Sequence, residues 1–249
     1  MKIAIVTGAS RGLGYEAAKN FIEKGYDCIT LSRSHPHLED AAKEFNVNYH
    51  HLSVDLSQLD ALNKLLDTLI NHLQEQAIDE LIVLNNAGAV NPIGPVGTLD
   101  NDEIIKQVNI NVTSLMLINN TIKKRISANR KIFINITSGA AEKGIFGWNV
   151  YSSTKAAVNK YTETAALEAD IQQLNDIHIA FSPGIMDTEM QADIRAVDES
   201  QFKDIETFRN YKKEGQLRSP KEVADLLLGV ITDKKNLING KLYRVYDLV

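Results

Sequence analysis

Lys2-Ile3-Ala4-Ile5-Val6-Thr7-Gly8-Ala9-Ser10-Arg11-Gly12-Leu13-Gly14 opens the chain with an apolar run that stops at a glycine, with two further glycines before a helical stretch. A β-run that feeds a glycine-rich turn and then a helix is a phosphate-binding pattern. The missing side chains at Gly8, Gly12 and Gly14 let backbone N–H groups and the positive end of the helix approach a pyrophosphate. The spacing is Gly-x-x-x-Gly-x-Gly rather than the commoner Gly-x-Gly-x-x-Gly, so its position directly after a strand carries the reading.

The rest of the chain repeats this strand-to-helix step. Short β-rich runs fall at Ile3 to Thr7, Cys28 to Leu31, Tyr49 to Val54, Leu81 to Leu84, Lys131 to Ile136, Ile177 to Ser182 and Leu242 to Tyr246. Helical spacing of apolar residues marks Gly12 to Glu23, Ser57 to Gln74, Asp102 to Lys124, Val150 to Leu174 and Pro220 to Thr232. Such alternation predicts an α/β fold of the doubly wound Rossmann type, a seven-stranded parallel sheet with helices on both faces. No linker or internal repeat divides residues 1–249, so one domain is expected. Asp187 to Arg218 breaks the alternation and is dense in charge. In open α/β sheets ligands bind beyond the carboxyl ends of the strands, so this segment is expected to be a substrate lid. Ser219, Pro220 and Glu222 after it predict a capped helix start with a capping box.

Composition narrows the function. A formal charge of -5 offers no basic field for a polyanion, so neither nucleic acid nor an anionic membrane surface is an expected partner. No stretch approaches the ~18 apolar residues of a membrane span. The apolar start is too short for a signal-peptide core, which predicts a cytoplasmic chain. The lone Cys28 lies in an apolar run and reads as a buried thiol. Asn-x-Thr sequons at Asn111, Asn119 and Asn135 then carry no weight as glycosylation sites. Two histidine groups, His35-Pro36-His37 and His50-His51, do not predict a metal centre, because adjacent strand residues point to opposite faces. Lys123-Lys124-Arg125 reads as a solvated helix end that complements the dipole.

Chemistry-bearing residues follow in order: Asn85-Asn86-Ala87-Gly88, Asn111, Ser138, Tyr151 with Lys155 four residues on, and Pro183-Gly184. Positions i and i+4 share a helix face, so the Lys155 ammonium can lie near the Tyr151 phenol and lower its pKa from about 10. With Thr7 to Gly14 as T-G-x-x-x-G-x-G, Asn85 to Gly88 as N-N-A-G, Tyr151 to Lys155 as Y-x-x-x-K and Pro183 to Thr188 as P-G-x-x-x-T, the whole chain resembles the short-chain dehydrogenases/reductases. The resemblance implies hydride transfer between a nicotinamide cofactor and a carbonyl group. It makes Tyr151 the general acid, Lys155 its tuner and a ribose ligand, Ser138 the group that holds the substrate oxygen, and Asn111 the holder of a proton relay. It implies cofactor contacts from Gly8, Ser10, Arg11, Gly12, Leu13 and Gly14, from Asp55 and Leu56 at the adenine, from Asn86, Ala87 and Gly88, and from Pro183, Gly184, Ile185 and Thr188.

NADP(H) is the expected cofactor. No acid stands at the end of the second strand to accept from a ribose 2′-hydroxyl; Arg33 stands there instead, and Arg11 in the glycine turn wants a compensating anion such as a 2′-phosphate. Trp148 and Met190 are expected to line the substrate pocket with Ser138. The segments around them resemble the branch of the family that reduces benzil-like vicinal diketones, and more distantly the sepiapterin reductases, so the expected partner is a small-molecule carbonyl compound. A 3-oxoacyl-carrier-protein reductase and a non-catalytic NADP-binding sensor are the alternatives. The family usually pairs through the helix bearing Y-x-x-x-K, which implies a homodimer or homotetramer.

Overall fold

Successive residues of a strand face opposite sides of its sheet, and the first strand fills both. Ile3 and Ile5 enter one core cluster while Ala4 and Val6 enter another. The computed structural model describes all 249 residues. Strands β1 (Lys2–Thr7), β2 (Asp27–Ser32), β3 (Tyr49–Ser53), β4 (Glu80–Asn85), β5 (Arg130–Ile136), β6 (Asp176–Ser182) and β7 (Leu242–Arg244) form one sheet in the order β3-β2-β1-β4-β5-β6-β7. All six neighbouring pairs are parallel. Helices α1 (Gly12–Glu23) and α9 (Pro220–Thr232) cover one face, while α3 (Leu59–Leu73) and α5 (Ser114–Arg125) cover the other. α6 (Asn149–Ile171) packs along β6. The expected doubly wound sheet is therefore present, with all its carboxyl ends on one rim.

Three expectations about elements need correction. The single helix read over Asp102 to Lys124 is α4 (Asn101–Val108), a π-helical turn (Asn109–Thr113) and then α5. The side chain of Asn111, in the middle of that turn, is held by the backbone of Ala89, and the turn adds a residue there. β7 ends at Arg244, because Val245–Asp247 coil into a short 3-10 turn that buries Val245. A short helix, α2 (Glu39–Glu44), was unforeseen because six residues are too few to show a helical period. At α9 the Ser219 hydroxyl accepts the Glu222 N–H as expected, but the capping box is incomplete. The Glu222 carboxylate pairs with Arg218 instead.

The segment expected as a lid holds α7 (Glu189–Ala196) and α8 (Ile205–Lys213). Its ends are clipped together: Asp187 N–H donates to Arg218 O at 3.0 Å and Arg218 N–H donates to Ile185 O at 3.2 Å. Its underside buries Ile194, Phe202 and Ile205 in a third cluster with Trp148 and Tyr151.

The sequon asparagines are structural. Asn111, Asn119 and Asn135 are all buried, and Cys28 is a buried free thiol. Asn85 Nδ2 donates to Asn119 Oδ1 at 2.8 Å and to Asn135 Oδ1 at 2.9 Å, and Asn135 Nδ2 reaches Thr162 Oγ1 at 2.9 Å. This network ties β4 and β5 to α5 and α6 just below the rim. Of the basic triplet expected to be solvated, Lys123 lies 3.5 Å from Asp176 and Arg125 pairs with Asp67. No helix is long and apolar enough to cross a membrane. Asn135→Ala should remove three buried hydrogen bonds, to Asn85, Asn119 and Thr162, and cost about 3 kcal/mol, read as a lowered urea midpoint at unchanged m-value.

Candidate active site

The glycine turn is stapled to the end of β4. Thr7 Oγ1 accepts the N–H groups of Asn86 and Ala87, both at 3.0 Å. Asn86 Nδ2 returns to the carbonyls of Thr7 at 3.0 Å and Gly8 at 3.1 Å. These contacts leave no room for side chains. A Cβ on Gly14 would lie 2.4 Å from both Gly8 O and Asn86 Nδ2, and one on Gly8, whose φ is +65°, would lie 2.8 Å from Ala87 Cα. No side chain caps the start of α1, so its first N–H groups remain for an anion. The turn therefore fits the pyrophosphate of a dinucleotide.

Tyr151 and Lys155 lie on the inner face of α6, both buried. The Lys155 ammonium donates to Ile136 O at 2.9 Å and sits 5.8 Å from the centroid of the Tyr151 ring. Burial lowers the Lys155 pKa to about 8. Burial also raises that of the Tyr151 phenol, with the Ser138 hydroxyl pulling the other way. The lowering expected from Lys155 does not appear; desolvation sets the direction, and the phenol keeps its proton at neutral pH. Asn111 grips the strand-end loop from behind. Its Oδ1 accepts Ala89 N–H at 2.8 Å, while its Nδ2 donates to Ala89 O at 2.9 Å and to Thr154 Oγ1 at 3.0 Å. Ser138 Oγ accepts the N–H of Ala140 at 3.2 Å, which orients the hydroxyl at the end of β5.

One cleft of about 960 Å³ runs along the rim and collects nearly every residue singled out in the sequence. At one end lie Arg33, Asp55 and Leu56; in the middle Gly8, Ser10, Arg11, Gly12, Leu13 and Asn86 to Gly88; beyond them Ser138, Tyr151 and Lys155 with Pro183, Gly184, Ile185 and Thr188; then Trp148 and Met190. Gly14 and Asn111 stand outside its wall and act on it through packing. Arg33 is exposed and makes no ion pair, whereas Arg11 already has an anion, the Glu189 carboxylate at the start of α7. Asp55 shapes its own turn by accepting Ser57 N–H at 2.9 Å, and Thr188 caps α7. Trp148 is both wall and packing: its ring stacks on Phe202 at 4.9 Å and meets Tyr151 edge-on at 5.1 Å.

Sequence reasoning missed Phe208, Tyr211 and Tyr246, which also line the cleft. Phe202, Ile205 and Phe208 recur at three-residue steps within the charged segment, a faint apolar stripe that marks its buried underside. Tyr246 follows the last strand, so the parallel topology places it on the ligand rim, where its hydroxyl accepts Ile185 N–H at 3.3 Å.

Two outcomes follow from this geometry. Gly14→Ala should weaken dinucleotide binding at least about tenfold, about 1.4 kcal/mol, because the turn must open to admit the methyl group; fluorescence titration reads this. For Lys155 the folded pKa lies below the unfolded one, so the unfolded chain binds more protons between about pH 8 and 10.5. The contribution of Lys155 to stability should rise with pH across that window, read by urea unfolding as a stability difference between wild type and Lys155→Met that shifts in favour of the wild type as pH rises.

Comparison with known proteins agrees with the geometry. The family described as short chain dehydrogenase matches residues 2–199. A benzil reductase ((S)-benzoin forming) of Bacillus subtilis is 34% identical over 254 residues, covering 100% of both chains. One of Bacillus cereus is 32% identical, covering 98% of this chain and 99% of the other. The crystal structure of a short chain dehydrogenases/reductase from Saccharomyces cerevisiae superposes with a TM-score of 0.82 at 25% identity, covering 98% of this chain and 96% of the other. The chain thus belongs to the short chain dehydrogenase family, oxidoreductases of the carbonyl/alcohol couple that use a nicotinamide cofactor.

Proposed function

We propose that this protein is an NADPH-dependent carbonyl reductase acting on aryl ketones and vicinal diketones of the benzil class. The observation that carries the reading is the unbroken cleft, with free Arg33 at one end and the Tyr151–Lys155 pair beside an aromatic wall at the other. A guanidinium at the end of β2, where a carboxylate would select the 2′-hydroxyl of NAD, suits a 2′-phosphate. Trp148, Phe208 and Tyr211 give flat apolar surface for aryl rings, and the similarity to benzil reductases supports that substrate class.

A nicotinamide held along the cleft would supply the hydride. The chain's residues do the rest by position and electrostatics. Ser138 holds the substrate oxygen by hydrogen bond, and the Tyr151 phenol, protonated through burial, gives that oxygen its proton. Lys155 lies close enough to stabilise the phenolate left behind, and Asn111 keeps the Ala89 loop fixed beside it. Asp187 to Arg218 closes over the substrate as a lid, and the Arg11–Glu189 ion pair bridges lid and glycine turn. Exposed Leu167 and Ile171 on α6, with Ile105 and Val108 on α4, support pairing of two copies through this side, as a dimer or within a tetramer. The cytoplasm is the compartment that a buried, unpaired cysteine suits.

NADPH oxidation with benzil and related diketones tests the assignment. Tyr151→Phe should lower kcat by roughly 10²–10⁴-fold with little change in NADPH affinity. Arg33→Glu should reverse the order of kcat/KM for NADPH and NADH. Unchanged turnover in the first variant, or wild-type preference for NADH, would overturn the reading.

A further inference from the structure

Five of the chain's six histidines gather around the edge strand β3, in two groups separated by the sheet. The pleat sends His50 to one side, where its ring meets His72 at 5.0 Å, and His51 to the other. On that second side the loop leaving β2 brings two more imidazoles. The His35 ring lies 4.6 Å from that of His51 and 4.7 Å from that of His37. Glu39, the first residue of α2, sets its Oε1 3.2 Å from His35 Nε2. The sequence argument against a metal centre considered neighbours on one strand, and it could not see a loop folding back onto that strand.

The loop is built to hold these groups together. Pro36 and Leu38 are buried and anchor it, so that His35, His37 and Glu39 alternate with them toward solvent. His37 takes a left-handed backbone with φ of 53°, and its N–H donates to His35 Nδ1 at 3.1 Å. Donor atoms of His35, His37 and Glu39 all lie within 4.8 Å of one another. Tetrahedral coordination at bond lengths near 2.0–2.1 Å needs donors about 3.3 Å apart. Since all three side chains are exposed, small rotations suffice to close that gap. Two or three imidazoles with one carboxylate are ligands for zinc and its neighbours, not for magnesium or calcium.

We infer that His35, His37 and Glu39, with His51 beside them, form a binding site for a divalent transition-metal ion of the zinc class. The same loop contributes Arg33 and Ser34 to the cleft, so an ion here braces the segment that carries them. The inference is independent of which substrate the enzyme reduces.

Zn²⁺ and Co²⁺ titrations of the full chain, freed of metal by chelation, test it by calorimetry and by visible absorption. Wild-type protein should take up one equivalent, with Co²⁺ giving ligand-field bands of low coordination number. His35→Ala and His37→Asn should each weaken uptake by about tenfold or more, asparagine being chosen because it tolerates the left-handed backbone. The paired control His50→Asn with His72→Asn, on the opposite face, should leave uptake intact. No saturable uptake by the wild type, uptake indifferent to His35→Ala and His37→Asn, or uptake lost in the control would each overturn the site.

Discussion

Everything on the cofactor side of this molecule depends on one close contact, where the turn after β1 rests against the end of β4. Backbone meets backbone there because Gly8 and Gly14 have no side chains, and the Thr7 hydroxyl and Asn86 amide lock the approach with four hydrogen bonds. The contact lies where the strand order turns from β1 outward in both directions, the point at which open sheets form a crevice. With that crevice set, parallel pairing does the remaining work. Every strand delivers its following loop to the same rim, from Arg33 after β2 to Tyr246 after β7.

The catalytic end is governed by desolvation. A lysine and a tyrosine taken out of water shift in opposite directions, the first toward losing its proton and the second toward keeping it. Their pKa values, close together in water, are therefore driven apart, with that of the lysine falling below that of the tyrosine. Such a pair keeps the proton on the phenol, and holding it out of water requires a fixed scaffold. The π-helical turn at Asn111, the network below β4 and β5, and the Lys155 contact to Ile136 O supply that scaffold from three directions.

Most of the rim was legible from the chain because its signals are local. A glycine turn after an apolar run, a Tyr and Lys one helical turn apart, and strand-helix alternation need no knowledge of tertiary contacts. What could not be read depends on segments far apart in sequence. The aromatic underside of the 187–218 segment announces itself fully only once Phe202 stacks on Trp148. Arg11 looked like a cation awaiting a ligand, yet Glu189 from a distant helix already faces it. The break in the helix around Asn111 follows from the grip of Ala89, a residue on a loop that periodicity cannot place.

Tyr151 is also a member of the hydrophobic cluster that seats the 187–218 segment, in contact with Trp148, which in turn packs on Phe202 and Phe208. Changes that reshape the pocket through these aromatics therefore also disturb the orientation of the Tyr151 phenol. Substrate range and catalytic competence are linked traits in this protein. Selection for a new substrate would meet less resistance at Tyr246, which borders the cleft without touching that ring stack, and adaptation is expected to concentrate there.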